Sequence, residues 1–268
     1  MWIFILIVLA VVIYFVLSQA SNSNQASKAS SRTQASKASS QNYTNQVDYS
    51  NLEVISLDSS VSAHYNYTHL RDLLAEGKWK EANKETGRLM LAVGYLTAEK
   101  KVRDGEWTHA DPREDCLDFR NLWYFPCKDL CTIDRLWLKY SNGRFGFSVQ
   151  KRIISELGED TISFICSSNT SYQEGLKKRE LRGSFERRIG WYTPDSEDSA
   201  GRRTSNLKTY NDLTFSMQAP HGHLPTANYW QEGARGRNDV GSFETQPLKD
   251  CYDLVHLLDR LSSCGIAL

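Results

Sequence analysis

The sequence predicts a mainly helical protein, in which a compact domain follows a single N-terminal transmembrane helix and a disordered linker. Three observations lead to this fold class. Apolar residues recur at three- and four-residue spacing in several segments, the first twenty residues carry no charged side chain, and the next thirty are rich in Ser, Ala, Gln and Asn. The predicted divisions are an anchor at 1–20, a low-complexity linker at 21–50, a helical domain at 51–230 and a C-terminal extension at 231–268.

The N-terminal segment has the length and polarity of a membrane anchor. Twenty helical residues span about 30 Å, the thickness of the hydrocarbon core of a bilayer. The alternative is a cleaved signal peptide, with Ser18, Gln19 and Ala20 as an acceptable cleavage site. No Lys or Arg precedes the apolar run, and the first positive charges follow it. We therefore expect a retained helix and a single-pass membrane protein, with its domain on the cytoplasmic or plastid stromal side.

The linker contains a nearly exact nine-residue repeat, QASKASSRT followed by QASKASSQN. Such a composition cannot bury a core, so this segment predicts a flexible tether. A flexible chain of this length has a root-mean-square reach of about 30 Å.

The domain begins with two helical patterns that meet at a glycine. Leu70, Leu73 and Leu74 mark a short helix, which Gly77 ends. A second apolar face follows at Trp79, Ala82, Thr86, Leu89, Met90 and Val93. Two helices joined by so short a turn form an αα-hairpin, to which we assign no chemistry. Residues 104–118 are acidic and turn-rich, which predicts a solvated loop, and Pro126 predicts the first turn of the next helix.

The centre of the chain, WLKYSNGRFGFSVQ at 137–150, predicts a helix–turn–helix corner. An apolar stripe leads into it, formed by Ile133, Leu136, Trp137 and Tyr140. Asn142 and Gly143 accept the positive φ that closes a helix. Ser148 is the predicted N-cap of the next helix, which Gly158 ends. The apex between the two helices carries a cation and two aromatic rings.

The C-terminal half predicts two further helices and a loop. One helix is expected from about 172 to 188, and a last amphipathic helix at 247–263. Residues 177–208 hold nine basic side chains against five acidic ones, and 192–206 has the composition of a mobile loop. Leu213, Phe215 and Met217 alternate with polar residues, which by periodicity alone is typical of a short strand.

The cysteines and histidines predict neither a metal site nor a disulfide framework. Of the six cysteines, only Cys127 and Cys131 form a close pair, whereas a zinc site needs four ligands. We therefore expect unpaired thiols. His221 and His223 lie between two prolines without an evident third ligand, so we interpret them as part of a rigid turn. A formal net charge of zero disfavours a nucleic-acid binder.

Several phrases of the chain, in this order, resemble one family. They are LRDLLAEGKWKEANKETGRLML at 70–91, FPCKDLCTIDRLW at 125–137, the corner at 137–150, FERRIGW at 185–191 and DLTFSMQAPHGHLP at 212–225. The chain is identified on these phrases as similar to the Genomes Uncoupled Four family, the porphyrin-binding regulators of magnesium chelatase. The resemblance covers roughly residues 65–228. It implies a helical, cupped-hand domain, and an extended or turn segment rather than a strand at 213–217.

The resemblance also implies a ligand and a partner. The ligand is protoporphyrin IX or Mg-protoporphyrin IX, and the partner is the large porphyrin-binding subunit of magnesium chelatase, which the family protein stimulates in chlorophyll biosynthesis. The protein would thus regulate an enzyme without being one. No nucleophile–base pair, phosphate-binding loop or metal cluster is evident in the sequence.

A porphyrin is a wide apolar disc with two carboxylates at one edge. Its site needs an apolar, partly aromatic floor and cations at the rim. The predicted floor and ring contacts are Phe145, Phe147, Val149, Trp191 and Tyr210, and the predicted rim is Arg144, Arg187, Arg188, Arg202 and Arg203. The family commonly has a tryptophan three residues before the tyrosine that matches Tyr210, where this chain has Leu207. This departure implies weaker pigment binding or a different ligand.

Two other functions remain open on the sequence. The first is a membrane-anchored signalling or scaffold paralogue that binds haem, a bilin or no pigment. The second is an enzyme or metal protein that uses the Cys127–Cys131 pair or the His221–His223 pair.

Overall fold

The structure is a computed structural model that describes residues 49, 57–107, 117, 119–168, 171–193, 196–197, 203–204, 207–226 and 252–265. The predicted anchor at 1–20 lies outside these residues, as does the linker at 21–50 apart from Tyr49. Within the described ranges, no helix is both long and apolar enough to cross a membrane. This finding overturns the prediction of a single-pass membrane location, which depended on hydropathy and a few basic residues.

The described residues form eight α-helices, one 3₁₀-helix and two short strands, and the prediction of a mainly helical fold is confirmed. The helices are α1 (Thr68–Ala75), α2 (Trp79–Arg103), α3 (Phe119–Trp123), α4 (Cys127–Tyr140), α5 (Phe147–Ser155), α6 (Thr161–Cys166), α7 (Tyr172–Arg188) and α8 (Tyr252–Ser263). The strands β1 (Ser196–Glu197) and β2 (Arg203–Thr204) pair antiparallel, and the 3₁₀-helix is Tyr210–Asp212.

Helices α1 and α2 form the predicted αα-hairpin around Gly77, whose φ is +69°. Their buried residues include all the apolar positions that define the predicted faces. Trp79, at the start of α2, packs against Trp137 of α4 and Phe145, with ring centroids 6.2 and 5.5 Å apart. Trp137 also donates its Nε1–H to Thr86 Oγ1 at 3.0 Å. This aromatic cluster joins the αα-hairpin of α1 and α2 to the central corner.

Helices α4 and α5 form that corner. Asn142 and Gly143 follow α4 with φ values of 50° and 72°, as the sequence predicts. The predicted N-cap is wrong, because α5 begins one residue before Ser148 and Gly146 occupies the cap position. Glycine has no side chain with which to cap a helix. Asp134 of α4 supplies the acceptor instead, since its Oδ1 accepts the backbone N–H of Ser148 at 2.9 Å.

Helix α8 packs against α3, α5 and α6 and, to a smaller extent, α4. Its fully buried side chains are Leu254, Val255, Leu257, Leu258 and Leu261. Cys264, just beyond its end, forms a disulfide with Cys127, the first residue of α4. The expectation of unpaired thiols is therefore wrong for these two cysteines. Their positions lie 137 residues apart, so that local spacing could not reveal the pair.

Candidate functional site

A short antiparallel arm leaves the helical domain at Trp191 and returns to it at Tyr210. Its base is formed by Tyr192, which pairs with Leu207, and by the backbone N–H of Lys208, which donates to the carbonyl of Trp191 at 2.7 Å. Farther out, β1 pairs with β2. The sequence predicted an irregular loop at 192–206, and the described part of this span instead contains paired strands. Turn-rich composition concealed them because each strand is only two residues long.

The base of the arm is fixed from behind by Trp191 and His223. Trp191 is 1% exposed, and its Nε1–H donates to the carbonyl of His223 at 2.9 Å. His223 Nε2 accepts the backbone N–H of Thr214, so Nδ1 carries the proton and donates to the carbonyl of Ile189 at 2.6 Å. Burial lowers the pKa of His223 to about 4, so the imidazole is neutral at neutral pH.

These contacts agree with the expected rigid turn at 221–223. Both ring nitrogens of His223 are engaged by the backbone, which leaves neither for a metal. In the ranges that the structure describes, no group of three or more His, Cys, Asp or Glu side chains could hold a metal ion.

Beside the base, an aromatic pair carries a cation. The rings of Tyr210 and Phe215 lie 5.0 Å apart, and Lys80 Nζ lies 5.6 and 5.8 Å from their centroids. Lys80 also donates to Asn211 Oδ1 at 3.2 Å, which fixes its ammonium group near the rings. Phe215 is half-buried and Met217 is 36% exposed. Residues 210–217 contain no strand, as the resemblance implied.

The structure places the predicted floor and ring-contact residues inside the protein. Phe145, Phe147, Val149 and Tyr210 are 0% exposed and Trp191 is 1% exposed. These side chains pack into the hydrophobic core, and in this structure they present no surface to a ligand. Sequence alone could not separate the two roles, because a core and a porphyrin floor use the same apolar and aromatic residues.

The predicted rim cations are dispersed. Arg144 donates to the carbonyl of Ala219 at 2.8 Å, and Arg188 forms an exposed ion pair with Glu156 at 3.4 Å. Arg187 lies over the ring of Tyr192, with its guanidinium carbon 5.4 Å from the centroid. Arg203 belongs to β2, and Arg202 lies outside the described residues. The structure thus brings Arg187 to the base of the arm and assigns Arg144 to a backbone contact.

We call the partly exposed side chains around this base the hairpin-base surface, and define it as Lys80, Arg187, Tyr192, Leu207, Phe215 and Met217. It combines two aromatic rings, two aliphatic side chains and two cations. Sequence reasoning missed Lys80 and Tyr192 as site residues. The alternation at 213–217 was the available signal for Phe215 and Met217, although Leu213 of the same pattern is buried.

A concavity of about 670 Å³ lies along α1 and α2. It is lined by His69, Leu73, Lys78, Glu81, Lys84, Glu85, Arg88 and Leu91. Its Arg88 pairs with Glu85 at 2.6 Å, and its Lys78 pairs with Glu76 at 2.7 Å. Because carboxylates in and beside this groove engage these cations, it is a poorer match than the hairpin-base surface for an anionic ligand.

The fold and these two surfaces define a mainly helical domain with an antiparallel arm. The family model described as GUN4-like matches residues 60–242, and the chain therefore belongs to the GUN4-like family. This confirms the resemblance drawn from the sequence phrases. Helix α8 lies beyond the matched range.

Individual relatives are more distant. The chain is 29% identical over 139 residues to the Ycf53-like protein of Synechocystis. This match covers 50% of this chain and 46% of that protein. It is 30% identical over 95 residues to the chloroplastic tetrapyrrole-binding protein of Arabidopsis thaliana. This match covers 35% of this chain and 31% of that protein. The chain spans about half the length of several curated relatives that it matches.

Among solved structures, the ligand-free GUN4 of Arabidopsis thaliana is 22% identical, with a TM-score of 0.40. The match covers 72% of this chain and 93% of that one.

Proposed function

We propose that this protein is a non-catalytic tetrapyrrole-binding protein that stimulates magnesium chelatase in chlorophyll biosynthesis. Its membership of the GUN4-like family supports this function, as does its similarity to a plant protein named for tetrapyrrole binding. The observation that carries the proposal is the hairpin-base surface, where partly exposed rings and aliphatic side chains lie beside cations. This is the combination that an apolar disc with two carboxylates requires.

The macrocycle would lie against the exposed rings of the hairpin-base surface. Tyr192 and Leu207 are directly paired across the base of the arm, so their side chains project to the same face. Phe215 and Met217, which are partly exposed on the returning segment, would add to this apolar area. The buried residues Trp191 and Tyr210 would support these side chains from behind. The proposed ligand contacts are therefore the partly exposed side chains that lie over the buried residues predicted from the sequence.

The carboxylates would meet cations that are already oriented. Lys80 is held over Tyr210 and Phe215, and Arg187 is held over Tyr192. Because these cations are partly fixed before binding, less side-chain entropy is lost when the ligand arrives. Arg202 and Arg203 remain proposed rim residues on the sequence alone, in which they supply two adjacent cations.

A titration with protoporphyrin IX and with Mg-protoporphyrin IX tests the ligand. Binding should shift the Soret band and quench tryptophan fluorescence saturably. Phe215→Ala should raise the dissociation constant about fivefold or more, the loss expected for one aromatic contact. Lys80→Ala should also weaken binding, because it removes a cation that would pair with a carboxylate of the porphyrin.

The matched control is Lys84→Ala, which removes a cation from the groove along α1 and α2. It should bind as the wild type does. Equal losses in Lys80→Ala and Lys84→Ala would contradict the placement of the site. The absence of a saturable response to either pigment would reject tetrapyrrole binding.

Chelatase stimulation is tested separately. The protein, with and without pigment, is added to magnesium chelatase, and the rate of magnesium insertion is measured. In a pull-down, the retention of the large porphyrin-binding subunit by the immobilised protein is measured. We expect retention and a higher rate, and the higher rate should be smaller in Phe215→Ala. Pigment binding without retention or stimulation would reject the regulatory part of the proposal and leave the binding part intact.

A further inference from the structure

The C-terminal helix is fastened to the domain at one point by a covalent bond. We propose that the Cys127–Cys264 disulfide is a redox-controlled latch, which holds α8 on the surface formed by α3, α5 and α6 and which a dithiol reductant opens. The inference is independent of the pigment-binding proposal, because none of its residues belongs to the hairpin-base surface.

Helix α8 follows the range that the family model matches, yet five of its apolar side chains are fully buried against earlier helices. Arg260 also donates its Nε–H to the carbonyl of Phe125 at 2.9 Å, close to the start of α4. The disulfide and this hydrogen bond therefore fix the same end of α8 to the same end of α4.

Both cysteines of the bridge have solvent-exposed surface. Cys127 and Cys264 are each partly exposed, whereas the leucines of α8 are fully buried. A thiolate attacking a disulfide needs access to one sulfur along the bond axis, and an exposed bridge is the accessible kind. The bond closes a loop of 137 residues, so its loss releases a large amount of chain freedom in the unfolded state.

The other described cysteines are poorly suited to compete with an external thiol. Burial raises the pKa of the Cys131 thiol. Burial and the nearby carboxylate of Asp259 raise the pKa of Cys166 to about 12. Both side chains are thus protonated at neutral pH, and the thiol form is a weak nucleophile. Exchange of the Cys127–Cys264 disulfide with either of these two thiols is therefore slow.

The opening step is thiol–disulfide exchange. One thiolate of the dithiol attacks a sulfur of the bridge, and the departing cysteine thiolate takes up a proton. The second thiol of the reductant then displaces the remaining cysteine from the mixed disulfide. Two electrons pass from the reductant to the protein. The products are two cysteine thiols and the oxidised reductant.

The test uses the full chain and dithiothreitol as the dithiol. Hydrogen exchange followed by mass spectrometry compares 252–263 with the corner at 137–150 in oxidised and reduced protein. We expect exchange in 252–263 to rise about tenfold or more on reduction, with a smaller change at the corner. Removal of dithiothreitol and reoxidation should restore the protection.

Serine variants separate the latch from a general effect of reductant. Cys264→Ser should behave as reduced protein with or without dithiothreitol, whereas Cys131→Ser and Cys166→Ser should keep the wild-type response. If Cys264→Ser does not fold, the reduced wild-type protein still provides the comparison. Alkylation showing Cys127 and Cys264 as free thiols in oxidised protein would overturn the proposal. Equal protection of 252–263 in both redox states would overturn it too.

Discussion

Trp191 and His223 hold each other in place at the base of the antiparallel arm. The indole N–H of Trp191 donates to the carbonyl of His223, while the imidazole of His223 joins the end of α7 to residue 214. The arm is thus attached to the domain by side chains that are themselves buried. A ligand on the hairpin-base surface would be supported by this pair.

Trp191→Phe should destabilise the domain without abolishing pigment binding. The change keeps an aromatic ring but leaves the buried carbonyl of His223 without this donor, at a cost of about 1–3 kcal/mol. Urea unfolding should show a lower midpoint with a similar slope. Trp123→Phe, at a position that is 46% exposed, is the control and should change little. Loss of pigment binding with unchanged stability would instead place Trp191 in direct contact with the ligand.

Stability should fall in mild acid because of His223. Its pKa is lowered from 6.5 to about 4, so the unfolded chain takes up a proton at a higher pH than the folded protein does. The contribution to stability is fully present above about pH 6.5 and is lost as the pH falls toward 4. We expect His223→Gln to show a smaller difference in unfolding free energy between pH 7.5 and pH 4.5. If the unfolding free energy of the variant depends on pH as strongly as that of the wild type, His223 is not the group responsible.

Gly146→Ala should disrupt the corner. Gly146 has a φ of +133°, and an added Cβ would lie 2.9 Å from Asp134 Oδ1, the atom that caps α5. The strained backbone alone costs on the order of 1–3 kcal/mol. Gly105→Ala, at a φ of +73° with nothing within 4 Å of the new Cβ, provides the control for strain without a close contact. Thermal unfolding should show the larger loss for Gly146→Ala.

Leu207→Trp should strengthen tetrapyrrole binding if the proposed site is right. Leu207 is half-buried and pairs with Tyr192, so an indole there would add aromatic area to the hairpin-base surface. A several-fold lower dissociation constant is expected, the scale of one added aromatic contact. Leu176→Trp adds the same ring to an exposed position on α7 and should not change affinity. Equal gains in both variants would indicate non-specific adsorption.

The helices were predictable because their evidence is local. The spacing of Leu70, Leu73 and Leu74 and the Asn142–Gly143 pair each specify a helical face or a helix end within a few residues. The cap of α5 was not predictable, since its acceptor, Asp134, lies on another helix. The disulfide was missed for the same reason, because only tertiary packing brings Cys264 to Cys127.

For the candidate site, the sequence predicted the kinds of residue involved but not which of them are buried. The sequence indicated segments 185–191 and 210–217, which the structure brings to the two ends of the arm, but periodicity cannot say which aromatic ring of a segment faces the core. Trp191 and Tyr210 face inward, whereas Tyr192 and Phe215 remain partly exposed. Trp191 and Tyr192 are adjacent in an extended segment, where neighbouring side chains point to opposite sides, so an error of one residue exchanges their roles.

The position of α8 at the end of the helix order has a consequence for biosynthesis. Helix α3 packs against α8, but 128 residues separate Trp123 from Tyr252. At ordinary rates of translation the ribosome needs roughly 10 s to make that stretch. Once α6 has been synthesised, the apolar sides of α3, α5 and α6 lack their final cover for the rest of this interval. A nascent chain stalled in this window would be a natural substrate for a chaperone.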